Sequence, residues 1–409
     1  MRGFNTLLFV LFALSANAAD GTVGTISVQK GNNVSVNGET PLSLTLDGKD
    51  HQSCQFLSKR APDENHEFTW KEVTTTRGGE LAEILGDQLR SVDSLVVKGY
   101  VNDKDFHAMW DASLYGYLSV INLKNAVLEN NAVPDTAFFH ENEQYEGSSH
   151  EIFYYIGLRK IILPEGLEKI GEGAFYQASA LRQVNFPSTL RYIGDFAFNA
   201  TKLEMNQLVI PEGVEEINQY AFAFCRKLKA QVTLPSTIKK IGEWAFYGCP
   251  ITSINLPEGL ESLGSLAFWD CDLREVSIPS SCHEFNEGWQ FGFNRNLEKM
   301  HLPEGMTEIP DHFAVDCFRL REVNFPHTLK HIGEKAFSLC ISLKNVELPL
   351  GMQSLGEEAF SELEALEQIV FPASMKSLGK NSCSYWKNIK RIYCAAMEPP
   401  VCDPTDGGV

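Results

Sequence analysis

Apolar residues recur with a fixed period over the second half of the chain. Prolines follow one another at intervals of 22 to 24 residues, at positions 164, 187, 211, 235, 257, 279, 303, 326, 349 and 372. In each repeat the residue directly before the proline is apolar, and so are the residues three before it and six after it, as at Leu163, Ile161 and Ile170. A pattern kept in register ten times predicts an array of stacked repeats.

One repeat predicts one strand and one bend. Apolar residues at alternate positions before the proline indicate a short strand with one buried face. Proline has no N–H for a ladder and therefore ends that strand. Most repeats then carry a glycine, which permits a tight bend, and an Ala-Phe pair such as Ala174-Phe175 that is expected to fill the interior. Because a single repeat buries too little apolar surface to fold alone, neighbouring coils must stack.

A second, longer period is superimposed on the first. The two residues after each proline alternate between a pair that ends in glycine, such as Glu212-Gly213, and a pair that ends in Ser or Thr, such as Ser236-Thr237. The repeating unit is therefore a pair of coils, about 46 residues long. This predicts two different corner conformations, or a history of pairwise duplication.

The repeat resembles a known family. The pattern LPEGLxxIGxxAFxxC, seen at Leu163 to Phe175 and Leu234 to Cys249, is similar to the BspA-like leucine-rich repeats of bacterial cell-surface proteins. The resemblance runs from about Leu158 to Cys394, and the segment from Gly79 to Leu123 resembles the atypical leading repeats of that family. It implies an α/β leucine-rich repeat solenoid, a curved right-handed coil with one short parallel strand per repeat and an N-terminal β-containing cap. It also implies an adhesin that binds host matrix proteins or other partners.

The rest of the chain divides by pattern. Arg2, a short apolar run and Ala16-Asn17-Ala18 predict a signal peptide over 1–18, cleaved before Ala19, so we expect a secreted or cell-surface protein. No later run of 18 apolar residues predicts a transmembrane segment. We expect an N-terminal β cap region at 19–76, atypical leading repeats at 77–157 with an exposed insertion at 129–151, the main repeats at 158–394 and a tail at 395–409.

Composition excludes two classes of partner. The chain has 409 residues, a formal net charge of −18 and a pI near 5.0. Nucleic acids and anionic membrane surfaces are bound by basic faces, which this balance argues against.

The cysteines are spaced as core residues. Cys225, Cys249, Cys271, Cys317 and Cys340 each follow their proline by 14 residues, which predicts reduced thiols in a buried column. Cys383 occupies a phenylalanine position and is also expected in the core. Cys394 and Cys402, on either side of Pro399-Pro400, are a candidate disulfide, whereas Cys54 and Cys282 stay unassigned.

Motifs for catalysis or metal binding do not occur. The chain has no P-loop, GxGxxG, GxSxG or HExxH, and the cysteine spacing is not that of a metal site. His327 and His331 are expected on the surface, and the proximity of His51 to Cys54 in the sequence is poor evidence for a catalytic pair. We therefore predict no enzyme, no cofactor and no metal.

The outward side of the strands is the most informative surface. Strand alternation exposes the residues two and four before each proline, a nearly neutral stripe rich in Gln, Asn, Ser and Thr. These amides either solvate an exposed sheet or bind an extended polar partner. The residues predicted to bind are Lys160, Gln183, Asn185, Gln207, Gln231, Thr233, Asn255, Glu275, Lys299, His301, Glu322 and Asn324.

Three functions fit these observations. The first is an exported, non-enzymatic binding or adhesion protein for an extracellular protein or peptide of the host-matrix type. The second is a structural envelope scaffold without a specific ligand. The third is a glycan-binding protein, or a glycan-acting enzyme that uses the 19–151 region, although aromatic residues for sugar stacking are scarce on the stripe.

Overall fold

The computed structural model describes residues 66–139 and 156–402, and the backbone of five further strands at 24–29, 33–38, 44–45, 55–57 and 152–154. The chain forms two compact units. The first comprises residues 1–187 with 198–203, and the second comprises 188–197 with 204–409. The predicted signal peptide at 1–18, His51, Cys54, most of the predicted insertion and residues 403–409 lie outside the described residues.

The first unit contains both α-helices of the described residues. Its strands are β1 (Gly24–Gln29), β2 (Asn33–Gly38), β3 (Leu44–Thr45), β4 (Gln55–Leu57), β5 (Trp70–Thr75), β6 (Ser94–Val101), β7 (Val120–Leu128), β8 (Ala132–Val133), β9 (Ile152–Tyr154), β10 (Lys160–Ile162), β11 (Lys169–Ile170) and β12 (Gln183–Val184). Its helices are α1 (Leu81–Leu85) and α2 (Asp103–Tyr115), with 3-10 turns at Gly86–Gln88 and Glu129–Asn131. Strands β5, β6, β7, β10 and β12 pair in that order as a parallel sheet.

A buried carboxylate joins the two helices of the first unit. Asn102 caps α2 by accepting the Lys104 N–H at 3.1 Å, and the Asp105 side chain accepts the Asn102 N–H in return. Asp105 also accepts the N–H groups of Gly79 at 2.6 Å and Leu81 at 2.9 Å, which lie at the start of α1. One side chain therefore ties the start of α2 to the preceding coil.

The start of the segment predicted as an insertion at 129–151 is described by the structure. Ala132 and Val133 form β8, which pairs in parallel with β11, and Val133 and Phe138 are fully buried. Residues 132–139 therefore continue the stack, because their apolar side chains fill core positions.

Each coil of the second unit contributes two short strands. One strand lies before the proline: β14 (Gln207–Val209), β16 (Gln231–Thr233), β18 (Ser253–Asn255), β20 (Glu275–Ser277), β22 (Lys299–His301), β24 (Glu322–Asn324), β26 (Asn345–Glu347), β28 (Gln368–Phe371) and β30 (Arg391–Cys394). The other lies after it: β13 (Tyr192–Ile193), β15 (Glu216–Ile217), β17 (Lys240–Ile241), β19 (Ser262–Leu263), β21 (Glu284–Phe285), β23 (Glu308–Ile309), β25 (His331–Ile332), β27 (Ser354–Leu355), β29 (Ser377–Leu378) and β31 (Val401–Cys402).

These strands build parallel sheets one coil at a time. The strands before the prolines form three sheets, β14–β16–β18, β20–β22–β24 and β26–β28–β30. The strands after the prolines form two series, β13 to β21 and β23 to β31, again with each strand beside its counterpart in the next coil. The stacked-coil prediction is confirmed.

Phenylalanine fills the interior as predicted. Within the second unit the rings of Phe222, Phe246, Phe268 and Phe291 are fully buried and stack at centroid distances of 5.3 to 5.6 Å. Offset aromatic stacking adds to the stabilisation from area burial, so this column links successive coils.

The α/β character of the predicted fold is not confirmed. Helix accounts for about 7% of the structure, and no α-helix occurs among the described residues after α2. A coil of 22 to 24 residues that spends its length on two strands and their corners has no room for one. The handedness and curvature of the coil and the domain boundaries stay predictions.

Hydrogen bonds across neighbouring corners explain the two-coil period. The Glu212 carboxylate accepts the Ser236 N–H at 3.1 Å and the Ser236 hydroxyl at 3.0 Å. The Thr237 hydroxyl accepts the Gly213 N–H and donates to the Val214 carbonyl, both at 2.9 Å. The same arrangement recurs in two further pairs of coils. The Glu258 carboxylate accepts the Ser280 hydroxyl, and the Ser281 hydroxyl accepts the Gly259 N–H and donates to the Leu260 carbonyl. The Glu304 carboxylate accepts the His327 N–H, and the Thr328 hydroxyl accepts the Gly305 N–H and donates to the Met306 carbonyl. The two corner types are therefore complementary, and we call the hydrogen bonds that join them the corner lock.

Candidate binding face

The predicted binding residues fall on three sheets. Lys160, Gln183 and Asn185 lie on or beside β10 and β12 in the first unit. In the second unit Gln207, Gln231, Thr233 and Asn255 lie on β14–β16–β18, whereas Glu275, Lys299, His301, Glu322 and Asn324 lie on β20–β22–β24. The residues of the predicted stripe therefore lie on separate sheets.

Strand alternation exposes these side chains as expected. On β14, β16 and β18 the middle residues Leu208, Val232 and Ile254 are buried, and the residues on either side are exposed. All twelve predicted residues are exposed except Lys160 and His301, which are half-buried.

The sheet β14–β16–β18 has a neutral outer face, which we call the amide face. It carries Gln207 beside Gln231 beside Ser253, and Val209 beside Thr233 beside Asn255. In a chain with 53 Asp and Glu residues, six neutral side chains in register form a distinctive surface. Side-chain amides supply both donors and acceptors, which suits a peptide main chain.

An open depression of about 670 Å³ lies at the edge of the amide face. It is lined by Asn206, Gln207, Lys229, Gln231 and Thr252. The main chain holds the coils in register here, because Gln231 N–H donates to the Asn206 carbonyl at 3.0 Å and Thr252 N–H donates to the Ala230 carbonyl at 3.0 Å.

Sequence reasoning missed three of these five residues. Asn206, Lys229 and Thr252 lie five or six positions before a proline, ahead of the strand, where alternation alone does not assign a side chain to either face. The available signal was their polarity, since a residue that begins a strand at a corner stays accessible to solvent.

The sheet β20–β22–β24 has charged side chains on its outer face, and these side chains pair with one another. The His301 Nε2 lies 3.2 Å from a Glu275 carboxylate oxygen, and the Lys299 Nζ lies 3.4 Å from a Glu322 carboxylate oxygen. Exposed ion pairs of this kind contribute about 0–1 kcal/mol. These four residues are partly engaged with one another, unlike the neutral side chains of the amide face.

Two of the predicted binding residues serve the fold. The Asn324 side chain accepts the Leu302 N–H at 2.8 Å and donates to the Leu302 carbonyl at 3.0 Å. Asn185 makes the same pair of bonds to Leu163, at 2.7 and 3.0 Å. Because both ends of each amide are used to satisfy the backbone of the preceding coil, Asn185 and Asn324 are clamps between coils.

The buried thiols are structural, as predicted. Cys225, Cys249, Cys271, Cys317 and Cys340 are buried and unbridged. The Cys249 thiol donates to the Phe222 carbonyl at 2.9 Å, and burial raises the pKa of Cys317 to about 12. Burial also raises the pKa values of Cys249, Cys271 and Cys340, which keeps these thiols protonated and unreactive. Cys282, left unassigned by the sequence, is also buried, with a pKa raised by burial to about 12.

The candidate disulfide between Cys394 and Cys402 stays a prediction. In this structure both residues are exposed and unbridged. Cys394 ends β30, which pairs with β28, whereas Cys402 ends β31, which pairs with β29. The two strands belong to different sheets.

The described residues contain neither a cluster of metal ligands nor a membrane-spanning helix. Across residues 66–139 and 156–402, no three His, Cys, Asp or Glu side chains come together as metal ligands. In the same part of the chain, no helix combines the length and apolar character needed to cross a bilayer.

Solved structures of repeat proteins resemble this chain. A leucine-rich repeat protein from Bacteroides ovatus is 20% identical, with 90% of this chain and 92% of that chain covered and a TM-score of 0.55. A leucine-rich cell surface protein from Faecalibacterium prausnitzii is 21% identical over 64% and 83% of the two chains, with a TM-score of 0.36. The pneumococcal vaccine antigen PcpA is 18% identical over 92% and 89%, with a TM-score of 0.39. At these identities the Bacteroides structure supports the fold alone.

No curated protein matches the chain. The family model described as a BspA type leucine-rich repeat region matches in six copies, at residues 148–232, 229–330 and 309–397. Because these segments cover more than half of the chain, the protein belongs to the BspA-type leucine-rich repeat family.

Proposed function

We propose that this protein is an exported, non-enzymatic binding protein that recognises an extracellular protein of the matrix type through the amide face. The observation that carries the proposal is the neutral face of β14–β16–β18, which exposes Gln207, Gln231 and Asn255. Gln207 and Gln231 also line the depression.

The chemistry of the face favours a protein partner. Amide side chains in register can bond to the N–H and C=O groups of an extended segment. The five residues that line the depression include no aromatic ring, so a sugar has no stacking platform there. The signal-peptide pattern at 1–18 supports export, since it places the partner outside the cell.

The test removes the amides from the face. The chain and its variant Gln207→Ala/Gln231→Ala/Asn255→Ala are measured by surface plasmon resonance against a panel of purified extracellular-matrix proteins. Each lost hydrogen bond costs about 0.5–1.5 kcal/mol, so we expect binding to weaken by at least tenfold. All three residues are exposed, so circular dichroism should show an unchanged fold.

A matched control separates the face from the rest of the surface. Gln219 is an exposed amide beyond β15, so Gln219→Ala should bind like the parent chain. Binding by the triple variant at full strength would place the contact elsewhere. A parent chain that binds no member of the panel would favour the scaffold function instead.

A further inference from the structure

The depression beside the amide face holds an unusual combination of side chains. Three amides and one hydroxyl, from Asn206, Gln207, Gln231 and Thr252, surround one positive charge, that of Lys229. No carboxylate lines it, although the chain carries 53 acidic residues against 35 Lys and Arg.

Lys229 differs from most neighbouring lysines in its lack of a partner. Lys239 and Lys240 on the following coil each pair with a glutamate, at 3.3 and 2.7 Å. Lys229 is exposed and forms no ion pair with any residue in the described part of the chain. Its ammonium group keeps its hydrogen-bonding capacity for a ligand.

We infer that this depression binds a carboxylate side chain from an extended acidic segment of the protein partner, with Lys229 as the charged contact. The inference rests on the proposed function and adds the chemistry of the partner. Lys229 supplies a charge-assisted hydrogen bond, and the Gln207 and Gln231 amides donate to the same carboxylate or to the adjoining main chain.

The surroundings favour a single carboxylate on a peptide. On the strands in register with Gln207 the outer residues are Gln231 and Ser253, so no acidic side chain of the same sheet competes for Lys229. The net charge of −18 does not oppose this contact strongly, because charges beyond about 8 Å are screened at physiological ionic strength.

The experiment measures the preference for a carboxylate directly. Fluorescence anisotropy compares two labelled decapeptides, one of alternating Ser and Glu and one with Gln in place of every Glu, on the parent chain. We expect the Glu peptide to bind at least tenfold more tightly. In the Lys229→Gln variant the two peptides should bind alike, and in the control Lys227→Gln the preference should persist, because Lys227 is an exposed lysine that does not line the depression.

Each other outcome overturns the inference. Equal binding of the two peptides, no binding of either, or a preference retained in Lys229→Gln would remove Lys229 as a carboxylate contact. A hyaluronan decasaccharide serves as a carboxylate-bearing glycan, and Lys229-dependent binding of it without binding of the Glu peptide would replace the protein partner by a glycan. If the triple amide variant loses matrix binding while Lys229→Gln keeps it, the proposed function stands and this inference fails.

Discussion

The cysteine column shows what a single position in the repeat requires. Cys249, Cys271, Cys317 and Cys340 each donate a thiol hydrogen to a carbonyl of the preceding coil. Asn294 takes the corresponding place in its coil and donates to the Phe268 carbonyl at 2.7 Å. The position therefore selects a small buried donor, because an unpaired buried carbonyl is costly.

Another column carries bulky residues in a strained backbone conformation. Phe196, Tyr220, Trp244 and Leu266 all have φ between 55° and 57°, in the left-handed region, which costs about 1–2 kcal/mol for a residue with a Cβ. The ring of Tyr220 stacks on Phe196 at 4.7 Å and on Trp244 at 5.2 Å, which offsets part of that cost. Sequence alone does not reveal this conformation, since glycine is its usual signal.

His312 lies in the corresponding turn and should make stability depend on pH. Its ring stacks on Trp289 at 3.6 Å, and burial lowers its pKa despite the nearby Glu334 carboxylate. The unfolded chain takes up a proton near pH 6.5 that the folded chain resists, so the free energy of unfolding should fall as the pH falls below about 6.5. Urea denaturation at pH 7.5 and 5.5 measures this fall, which should be smaller in His312→Gln.

The control for that measurement is Gln219→Ala. Gln219 is an exposed amide that does not titrate between pH 7.5 and 5.5, so its removal should leave the parent's pH dependence unchanged. A parent-like dependence in His312→Gln would contradict the assignment.

At the scale of the element, the strands follow the sequence closely and the corners do not. The alternation before each proline predicts which residues of β14, β16 and β18 are exposed, because a strand has a fixed period of two. Alternation does not predict whether the polar groups of an exposed side chain are already used in bonds within the fold. Asn255 and Asn324 occupy the same place in their strands, yet only Asn324 is used by the backbone of the preceding coil.

The corner lock predicts the effect of one hydroxyl. In Thr237→Val the Gly213 N–H loses its acceptor and the Val214 carbonyl loses a donor. We expect a loss of about 1–3 kcal/mol in the free energy of unfolding, measured by urea denaturation, and faster hydrogen exchange at Gly213.

The matched control is Thr233→Val on the exposed side of β16. Valine is a good strand residue, so stability should change little there. Equal effects of the two substitutions would show that the Thr237 hydroxyl bonds do not contribute to the lock.

At the scale of the whole molecule, the corner lock joins coils in pairs. A deletion that removes a whole pair therefore keeps the remaining corners matched. Deleting residues 211–256 joins Ile210 to Pro257 and keeps the alternation of Glu-Gly and Ser-Thr corners. Deleting residues 235–256 alone places Glu258-Gly259 next to Glu212-Gly213, which removes the Ser236 and Thr237 partners and brings two carboxylates together.

We therefore expect the longer deletion to be the more stable of the two, although it removes more buried surface. Urea denaturation followed by circular dichroism measures both. Stability that simply decreases with the number of coils removed would contradict the pairing.

The periodic apolar residues and prolines were sufficient to predict the stacked coils, the exposed side of each strand and the buried thiols. These features depend on alternation within a few residues, which is local in the sequence. The depression with Lys229 and the clamps at Asn185 and Asn324 depend on which coils lie side by side. Contacts between neighbouring coils join residues more than 20 positions apart, so they are defined only once the coils have stacked.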